Sequence, residues 1–214
     1  YINVHEGLDN HFYAGDYNKA ITLGTLEKRF QKIISLPSES SDNKQRVERI
    51  RQHLSGSSDQ PKEVQVLDVG TGTCVFLYEL KKYGYSTTAI DPDHAAIEHA
   101  EKKAGVDEAH HGDLFNFKTD QKFDLITFNK VLEHLRDPVE HLKEAVKYLK
   151  SDGKIYIELP EGDRIIERGL LHERAEFAIE HYIVFNRESI RYLIGRAGMK
   201  AETTEIITDP SGKY

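Results

Sequence analysis

The chain is poor in cysteine, methionine and tryptophan, with one, one and none among 214 residues. A single cysteine excludes a disulfide framework within the chain and is typical of a reducing compartment. No apolar run approaches the roughly 20 residues that a membrane-spanning helix needs. We therefore predict a soluble, cytoplasmic protein. Because the chain begins at Tyr1 and not at a methionine, an upstream segment and any continuation past Tyr214 are left open.

An excess of positive charge is also missing. Lys and Arg number 29 against 36 Asp and Glu, so the formal net charge is −7. Nonspecific binding to a phosphate backbone usually needs a basic surface, and this balance disfavours a nucleic-acid partner. The 38% apolar and 30% charged content is typical of a globular protein. The length predicts one domain, or one domain with a small appendage.

The N-terminal part has helical periodicity. Apolar residues at offsets of three and four predict an amphipathic helix within residues 17–36. A second helix is predicted to bury Val47, Ile50 and Leu54. Four basic side chains of this second helix are expected on a solvated face: Lys44, Arg46, Arg49 and Arg51. A linker composition over residues 55–61 then separates a helical appendage, residues 1–61, from a second domain, residues 62–214.

From residue 64 onward, short apolar runs alternate with helical stripes. Strands are predicted at residues 64–69, 86–90, 123–128 and 154–159, with a last one at 201–208. Alternating strands and helices favour right-handed βαβ units. We therefore predict an α/β fold, a Rossmann-like, doubly wound, mostly parallel sheet with helices on both faces.

A glycine turn follows the first predicted strand, in the segment Asp68-Val69-Gly70-Thr71-Gly72. Such a turn lets backbone N–H groups and a helix N-terminus approach a ligand. The dinucleotide fingerprint would place a third glycine at Val75, and the carboxylate of Asp68 would repel a pyrophosphate but attract an ammonium group. Asp91 ends the second strand about 20 residues later, where an acid can accept hydrogen bonds from ribose hydroxyls. These features favour a nucleoside ligand without a pyrophosphate.

These residues resemble the class I S-adenosylmethionine-dependent methyltransferases, whose first motif is acid-x-Gly-x-Gly and whose second strand ends in a ribose-binding acid. Four further segments match in order: Gly112-Asp113-Leu114, Phe123-Asp124-Leu125-Ile126, residues 129–138 and residues 149–154. Residues 129–138 are similar to a segment of many small-molecule members, including quinone-biosynthesis methyltransferases. The resemblance covers residues 62–207. It departs at Cys74, where many members have a third glycine.

The resemblance implies methyl transfer from S-adenosylmethionine to a small molecule, most simply to a hydroxyl oxygen, with S-adenosylhomocysteine as product. The cofactor-binding residues that it implies are Asp68, Gly70, Thr71, Gly72, Asp91, Pro92, Asp113, Leu114 and Asn129. Two of these have structural alternatives, because Asp113 is also suited to a turn or a helix cap and Asn129 to a strand-end hydrogen bond. Asp137 and Pro138 are predicted to cap a helix and to have no chemical role.

Candidates for the acceptor side lie outside these motifs. His134 and His181 are candidate catalytic bases, although His134 is equally suited to a helix start bonded to the backbone. An insertion at residues 160–187 is long enough to form a wall of the substrate pocket. Tyr13 and Tyr17 are candidate substrate-binding residues of a lid, with packing of the appendage as the alternative. The eleven histidines show no His-x-x-x-His or Cys/His spacing, so no metal site is predicted.

Three alternative functions remain open. The chain could be a noncatalytic module that binds the cofactor, or a nicotinamide-dependent oxidoreductase, which Asp68 and the missing third glycine oppose. An RNA or protein methyltransferase is the third, with the basic helix around residues 44–51 recognising an acidic or phosphorylated substrate. The acceptor atom and the oligomeric state are not determined by these patterns.

Overall fold

The computed structural model describes residues 23–54, 64–162, 181–207 and 210. The helices of these residues are α1 (Leu23–Ile34), α2 (Asp42–Leu54), α3 (Val75–Lys81), α4 (His94–His99), α5 (Pro138–Val146) and α6 (Arg187–Arg196). The strands are β1 (Gln65–Val69), β2 (Ser86–Asp91), β3 (Glu108–His111), β4 (Phe123–Asn129) and β5 (Leu149–Glu158). Turns of 3₁₀-helix occupy Ser38–Ser40 and Leu132–His134, and a π-helical turn at Ala100–Ala104 continues α4.

The five strands form one parallel sheet in the order β3-β2-β1-β4-β5. The predicted doubly wound α/β fold is therefore confirmed. The order reverses between β1 and β4, and the carboxyl ends of strands at such a point form the ligand crevice of open α/β sheets. The residues at these ends are Val69, Asp91, His111, Asn129 and Glu158.

Two apolar clusters cover the sheet. One joins β4 to α5 and α6 through buried side chains that include Phe128, Leu142 and Leu193. The other contains Phe30 of α1 and Val47 of α2, together with residues of α3 and β1. The helices of the predicted appendage thus share a core with the sheet. The domain boundary at residue 61 remains a prediction, because residues 55–63 lie outside the described ranges.

Side chains cap the starts of α5 and α6, and the cap predicted at α5 is confirmed. The Asp137 carboxylate accepts a hydrogen bond from the Glu140 backbone N–H at 3.2 Å, and Pro138 occupies the first turn. Both features satisfy or remove backbone donors that a helix N-terminus leaves unpaired. At α6, Asn186 and Ser189 form a reciprocal capping box.

Two sequence predictions are wrong. Residues 201–207 form no strand, and β5 is one of the two edge strands of the sheet that the described residues build. Alternating side chains are not enough for a strand, because its backbone groups need a paired neighbour. In addition, Arg46 is not on a solvated face, since only 3% of it is exposed. Its guanidinium donates a hydrogen bond to Glu158 of β5, a partner that the helical periodicity of α2 does not predict.

None of the helices in the described ranges combines the length and the apolar character that crossing a bilayer requires.

Candidate active site

The turn between β1 and α3 needs its two glycines for different reasons. Gly70 has a φ of +74°, and a Cβ there would lie 2.7 Å from Cγ2 of Val131, well inside van der Waals contact. Gly72 has a φ of +51°, and a Cβ there would meet nothing within 4 Å. The backbone of Gly70 is therefore closely packed against the chain that leaves β4, whereas that of Gly72 faces open space. Cys74, at the missing third glycine, is buried and also has a positive φ of 57°.

Asp91, at the end of β2, is bound to this turn. Its Oδ2 accepts a hydrogen bond from the Gly72 backbone N–H at 2.9 Å, and its Oδ1 accepts one from the Asp93 N–H at 2.8 Å. Burial raises the pKa of Asp91 to about 6, and the two N–H donors oppose that increase. Each carboxylate oxygen has a second lone pair, so the side chain retains the capacity to accept bonds from two ligand hydroxyls.

Asp68 joins the ends of β1 and β4. Its Oδ1 accepts hydrogen bonds from Thr127 Oγ1 at 2.6 Å and from Asn129 Nδ2 at 2.8 Å. Burial raises the pKa of Asp68 to about 6, against the effect of these bonds and of the Arg46 charge. Asn129 Oδ1 is buried and has no hydrogen-bond partner among the described residues. An acceptor without a partner at a strand end is suited to a ligand donor.

The remaining predicted cofactor residues have mixed roles. Asp113 Oδ1 accepts hydrogen bonds from the backbone N–H groups of Phe115 and Asn116, so the predicted turn role is present. Leu114 is fully buried in the core, which leaves only its backbone for a ligand. The carbonyl of Pro92 accepts a bond from His111 Nε2 at 2.9 Å. The carbonyl of the buried Thr71 accepts one from the Cys74 N–H at 2.8 Å.

A second group of polar side chains follows β4. Lys130 leaves the strand with a φ of +59°, and the 3₁₀ turn Leu132–His134 then presents Glu133 and His134. The segment after the insertion is held against this turn, because the Tyr182 and Ile183 N–H groups donate to the Glu133 carbonyl at 2.8 and 3.2 Å. His181 therefore lies beside His134, with ring centroids 4.6 Å apart. The two predicted base candidates are thus neighbours.

Electrostatics differ sharply between the members of this group. Glu133 is 1% exposed, and burial raises the pKa of its carboxyl to about 8. Burial, with a smaller contribution from His134, lowers the pKa of His181 to about 4. At neutral pH these shifts favour an uncharged His181 and a Glu133 that is ionised only in part.

Sequence reasoning missed Glu133. One of its carboxylate oxygens and one ring nitrogen each of His134 and His181 all lie within 4.8 Å of one another. The three residues therefore form a cluster that could hold a metal ion. The argument against a metal considered only spacing along the chain, and the fold brings the distant His181 to the other two. The only signal for Glu133 was its place beside His134 in the segment already singled out.

An ion pair, also missed, lies at the neighbouring strand end. Glu158 accepts hydrogen bonds from Arg46 Nε at 2.9 Å, from Arg49 Nη2 at 3.2 Å and from Tyr156 Oη at 2.9 Å. Burial alone would raise the pKa of Glu158, but the bonds and charge of Arg46 outweigh it and lower this pKa. The pair fixes α2 to the end of β5 beside the site.

Two predicted regions are not tested by this geometry. Tyr13 and Tyr17 lie outside the described residues, as does most of the insertion, at residues 163–180.

A groove of about 570 Å³ runs along the edge of β5 and is lined by residues such as Tyr156, Ile190 and Met199. It does not include the glycine turn or Asp91, so we do not assign the nucleoside to it.

Comparison with known proteins gives one family and several related folds. The family described as "Methyltransferase domain" matches residues 40–204. Ubiquinone biosynthesis O-methyltransferase, mitochondrial, of Schizosaccharomyces pombe is 30% identical over 100 residues, which are 44% of this chain and 36% of that protein. The chain thus matches little more than a third of the length of this curated relative.

Two solved structures illustrate the shared fold. Magnesium protoporphyrin IX methyltransferase from Synechocystis, with bound SAH, has a TM-score of 0.63 at 17% identity and matches 91% of this chain and 92% of its own. The plantazolicin methyltransferase BpumL, in complex with SAH, has a TM-score of 0.53 at 20% identity and matches 80% and 77%.

Proposed function

The chain belongs to the methyltransferase domain family, and from this premise we propose that it transfers a methyl group from S-adenosylmethionine to a hydroxyl oxygen of a small molecule. The observation that carries the proposal is the hydrogen bond from the Gly72 N–H to Asp91, in a turn that leaves open space around the Cβ position of Gly72. This arrangement places a backbone that a ligand can approach closely beside an acid at the end of the second strand.

The described residues fit a nucleoside with an amino-acid tail. Asp91 would accept hydrogen bonds from the ribose hydroxyls. The Gly70–Gly72 turn would lie against the amino-acid tail of the ligand. Asn129 Oδ1, which has no partner in the described ranges, would accept a bond from the ammonium group, with the Asp68 charge behind it. Asp113 would meet the adenine amino group. When bound, S-adenosylmethionine supplies an electrophilic methyl group on sulfur.

On the acceptor side, the chain has to orient a nucleophile and remove its proton. Orientation alone contributes several kcal/mol, and a positioned base adds roughly 10²- to 10⁴-fold. We propose that the His134–His181 pair activates the acceptor hydroxyl. His134 is the better candidate for direct proton removal, because the low pKa of His181 makes that ring a weak base.

Further predictions extend this proposal. A small-molecule substrate fits the net charge of −7, which disfavours RNA. Tyr13 and Tyr17 are proposed as part of a lid over the substrate, and residues 160–187 as a wall of its pocket. A cytoplasmic location also stays a prediction, and the fission-yeast relative is described as mitochondrial.

The cofactor assignment is tested by calorimetric titration with S-adenosylhomocysteine. We expect one binding site in the native chain and an affinity loss of about 10- to 100-fold in Asp91→Ala, the size expected for hydrogen bonds to a charged group. Asp120→Ala, which removes an exposed carboxylate on the loop before β4, is the matched control and should bind normally. Equal affinity in both variants would contradict the role of Asp91.

The activity is tested by transfer of a labelled methyl group to a panel of phenols and aliphatic alcohols. Transfer to any hydroxyl supports the proposed reaction. Binding of S-adenosylhomocysteine without transfer to any acceptor would favour the noncatalytic module. Binding of NADH in its place would favour the oxidoreductase.

A further inference from the structure

His99, the last residue of α4, is a polar side chain in the core of the molecule. It is fully buried, and neither of its ring nitrogens has a hydrogen-bond partner among the residues that the structure describes. Burying a polar group without such a bond is unfavourable, so an apolar side chain of similar size would be more stable at this position. Packing of the core therefore does not account for a histidine here.

Groups from several elements surround this ring. Phe30 of α1 packs on it edge to face, with ring centroids 5.0 Å apart and planes at 75°. The charged groups near it are Glu27 of α1 and Lys103 of the π-helical turn, which form an ion pair at 3.0 Å. The backbone of Thr73, in the glycine turn between β1 and α3, is a further neighbour. His99 therefore lies between α1 and the glycine turn.

Thr73 offers an acceptor to the ring. Burial lowers the pKa of His99, whereas the charge of Glu27 and the backbone of Thr73 oppose this decrease. The backbone effect is the one expected of a carbonyl that accepts a hydrogen bond from the ring. In this structure the two groups do not reach hydrogen-bond geometry. Hydrogen bonds at active sites are often long before a ligand binds and shorten in the complex, so a small displacement of the turn would complete this one.

We propose that His99 is a positioning residue for the cofactor, whose ring donates a hydrogen bond to the Thr73 carbonyl when S-adenosylmethionine lies against the glycine turn. This inference rests on the proposed function. Thr73 directly follows Gly72, whose N–H donates to Asp91 at 2.9 Å, so a bond that holds Thr73 also holds the donor to Asp91 in place. An interaction that forms only in the complex adds to the affinity for the cofactor and not to the stability of the protein alone.

The test measures stability and cofactor affinity on the same variants of the full chain. His99→Leu removes both ring nitrogens and keeps an apolar side chain of similar size. We expect it to unfold at a higher urea concentration than the native chain, because a buried polar group without a partner is removed. We also expect it to bind S-adenosylhomocysteine about 3- to 10-fold more weakly in calorimetry, the loss that corresponds to one hydrogen bond. A residue that only packs the core would not change the two quantities in opposite directions.

Two amide variants test whether the effect comes from a ring donor. His99→Asn and His99→Gln place an amide N–H near the positions of Nδ1 and Nε2 of the imidazole, respectively. One of the two should restore most of the S-adenosylhomocysteine affinity that His99→Leu loses. His53→Leu, which replaces an exposed histidine of α2, is the matched control and should change neither measurement.

The stability difference should also depend on pH. Because the pKa of His99 is lowered below 6.5 in the folded state, protonation of this ring at acid pH favours the unfolded chain. The stability advantage of His99→Leu over the native chain should therefore grow as pH falls through 6.5. The same pH series on His53→Leu should show no such increase.

The outcomes separate this role from the proposed function. Lower stability of His99→Leu would mean that the ring already has a partner, such as a bound water, and would overturn the role. Unchanged S-adenosylhomocysteine affinity in His99→Leu, or failure of both amide variants to restore it, would overturn the role and leave the proposed function intact. A native chain that does not bind S-adenosylhomocysteine would contradict the proposed function and this role together.

Discussion

Two buried glutamates follow neighbouring strands of this sheet and have opposite environments. Glu158 ends β5, is 8% exposed and accepts hydrogen bonds from two arginines and a tyrosine. Glu133, just after β4, is 1% exposed and receives no bond from another described residue. The pKa of Glu158 is lowered, whereas that of Glu133 is raised to about 8. Ionisation of Glu158 therefore stabilises the fold, whereas ionisation of Glu133 destabilises it.

The largest effect is expected when Glu158 loses its main partner. Arg46→Met keeps much of the side-chain volume but leaves a buried carboxylate with weaker compensation. Removing one member of a buried pair costs about 3–5 kcal/mol, and because Arg49 and Tyr156 remain we expect about 2–4 kcal/mol. Urea unfolding at pH 7 measures this loss. Arg51→Met, in an exposed pair with Glu48, should cost under about 1 kcal/mol.

The pH dependence of this loss has a definite sign. Because the pKa of Glu158 is lowered in the folded state, its stabilising contribution is present above the unfolded pKa and is lost as pH falls through the folded pKa. The difference between native protein and Arg46→Met should therefore shrink toward pH 3. A constant difference would show that packing of the arginine, and not its charge, is what matters.

Glu133→Gln should have the opposite effect on stability. At pH 9 we expect the variant to be more stable by about 1–3 kcal/mol, because it removes a buried charge that receives no hydrogen bond from another described residue. A pKa raised from 4.5 to about 8 means that the stability from this group is full below pH 4.5 and is lost as pH rises through 8. Urea unfolding should accordingly show little difference at pH 5. Destabilisation at pH 9 would indicate an unrecognised donor to Glu133.

The smallest effect is expected from a single neutral donor. Tyr156→Phe removes the 2.9 Å hydrogen bond to Glu158 and should cost about 0.5–1.5 kcal/mol at pH 7. Tyr83→Phe, on an exposed ring, is the control and should change the free energy of unfolding by less than about 0.5 kcal/mol. If both variants have the same stability, the arginines alone satisfy Glu158.

Much of the candidate cofactor site could be predicted from the sequence, because its main residues lie close to one another along the chain. Gly70 and Gly72 directly follow β1, and Asp91 ends the next strand, so strand order alone brings them to one edge. Both glycines also have positive φ, the conformation that glycine adopts most easily. The role of Asp68 was less accessible, because its bonds to Thr127 and Asn129 depend on β4 lying beside β1.

Long-range contacts explain the errors. The pattern of α2 correctly predicted Val47, Ile50 and Leu54 as buried, but it gave no sign of the partner that buries Arg46. That partner is 112 positions away in the chain. The absence of a strand at residues 201–207 has a related cause, since a strand exists only if a neighbour pairs with it.

By itself, the amino-acid sequence determined the alternation of strands and helices, the glycine turn and the acid at the end of β2. These features follow from periodicity, backbone freedom and spacing, which act over a few residues. Only the tertiary structure decided that Glu158 has charged partners and that Glu133 has two imidazoles and no hydrogen-bond donor from another described residue. The physical reason is that the charge state of a buried carboxylate depends on which distant groups the fold places around it.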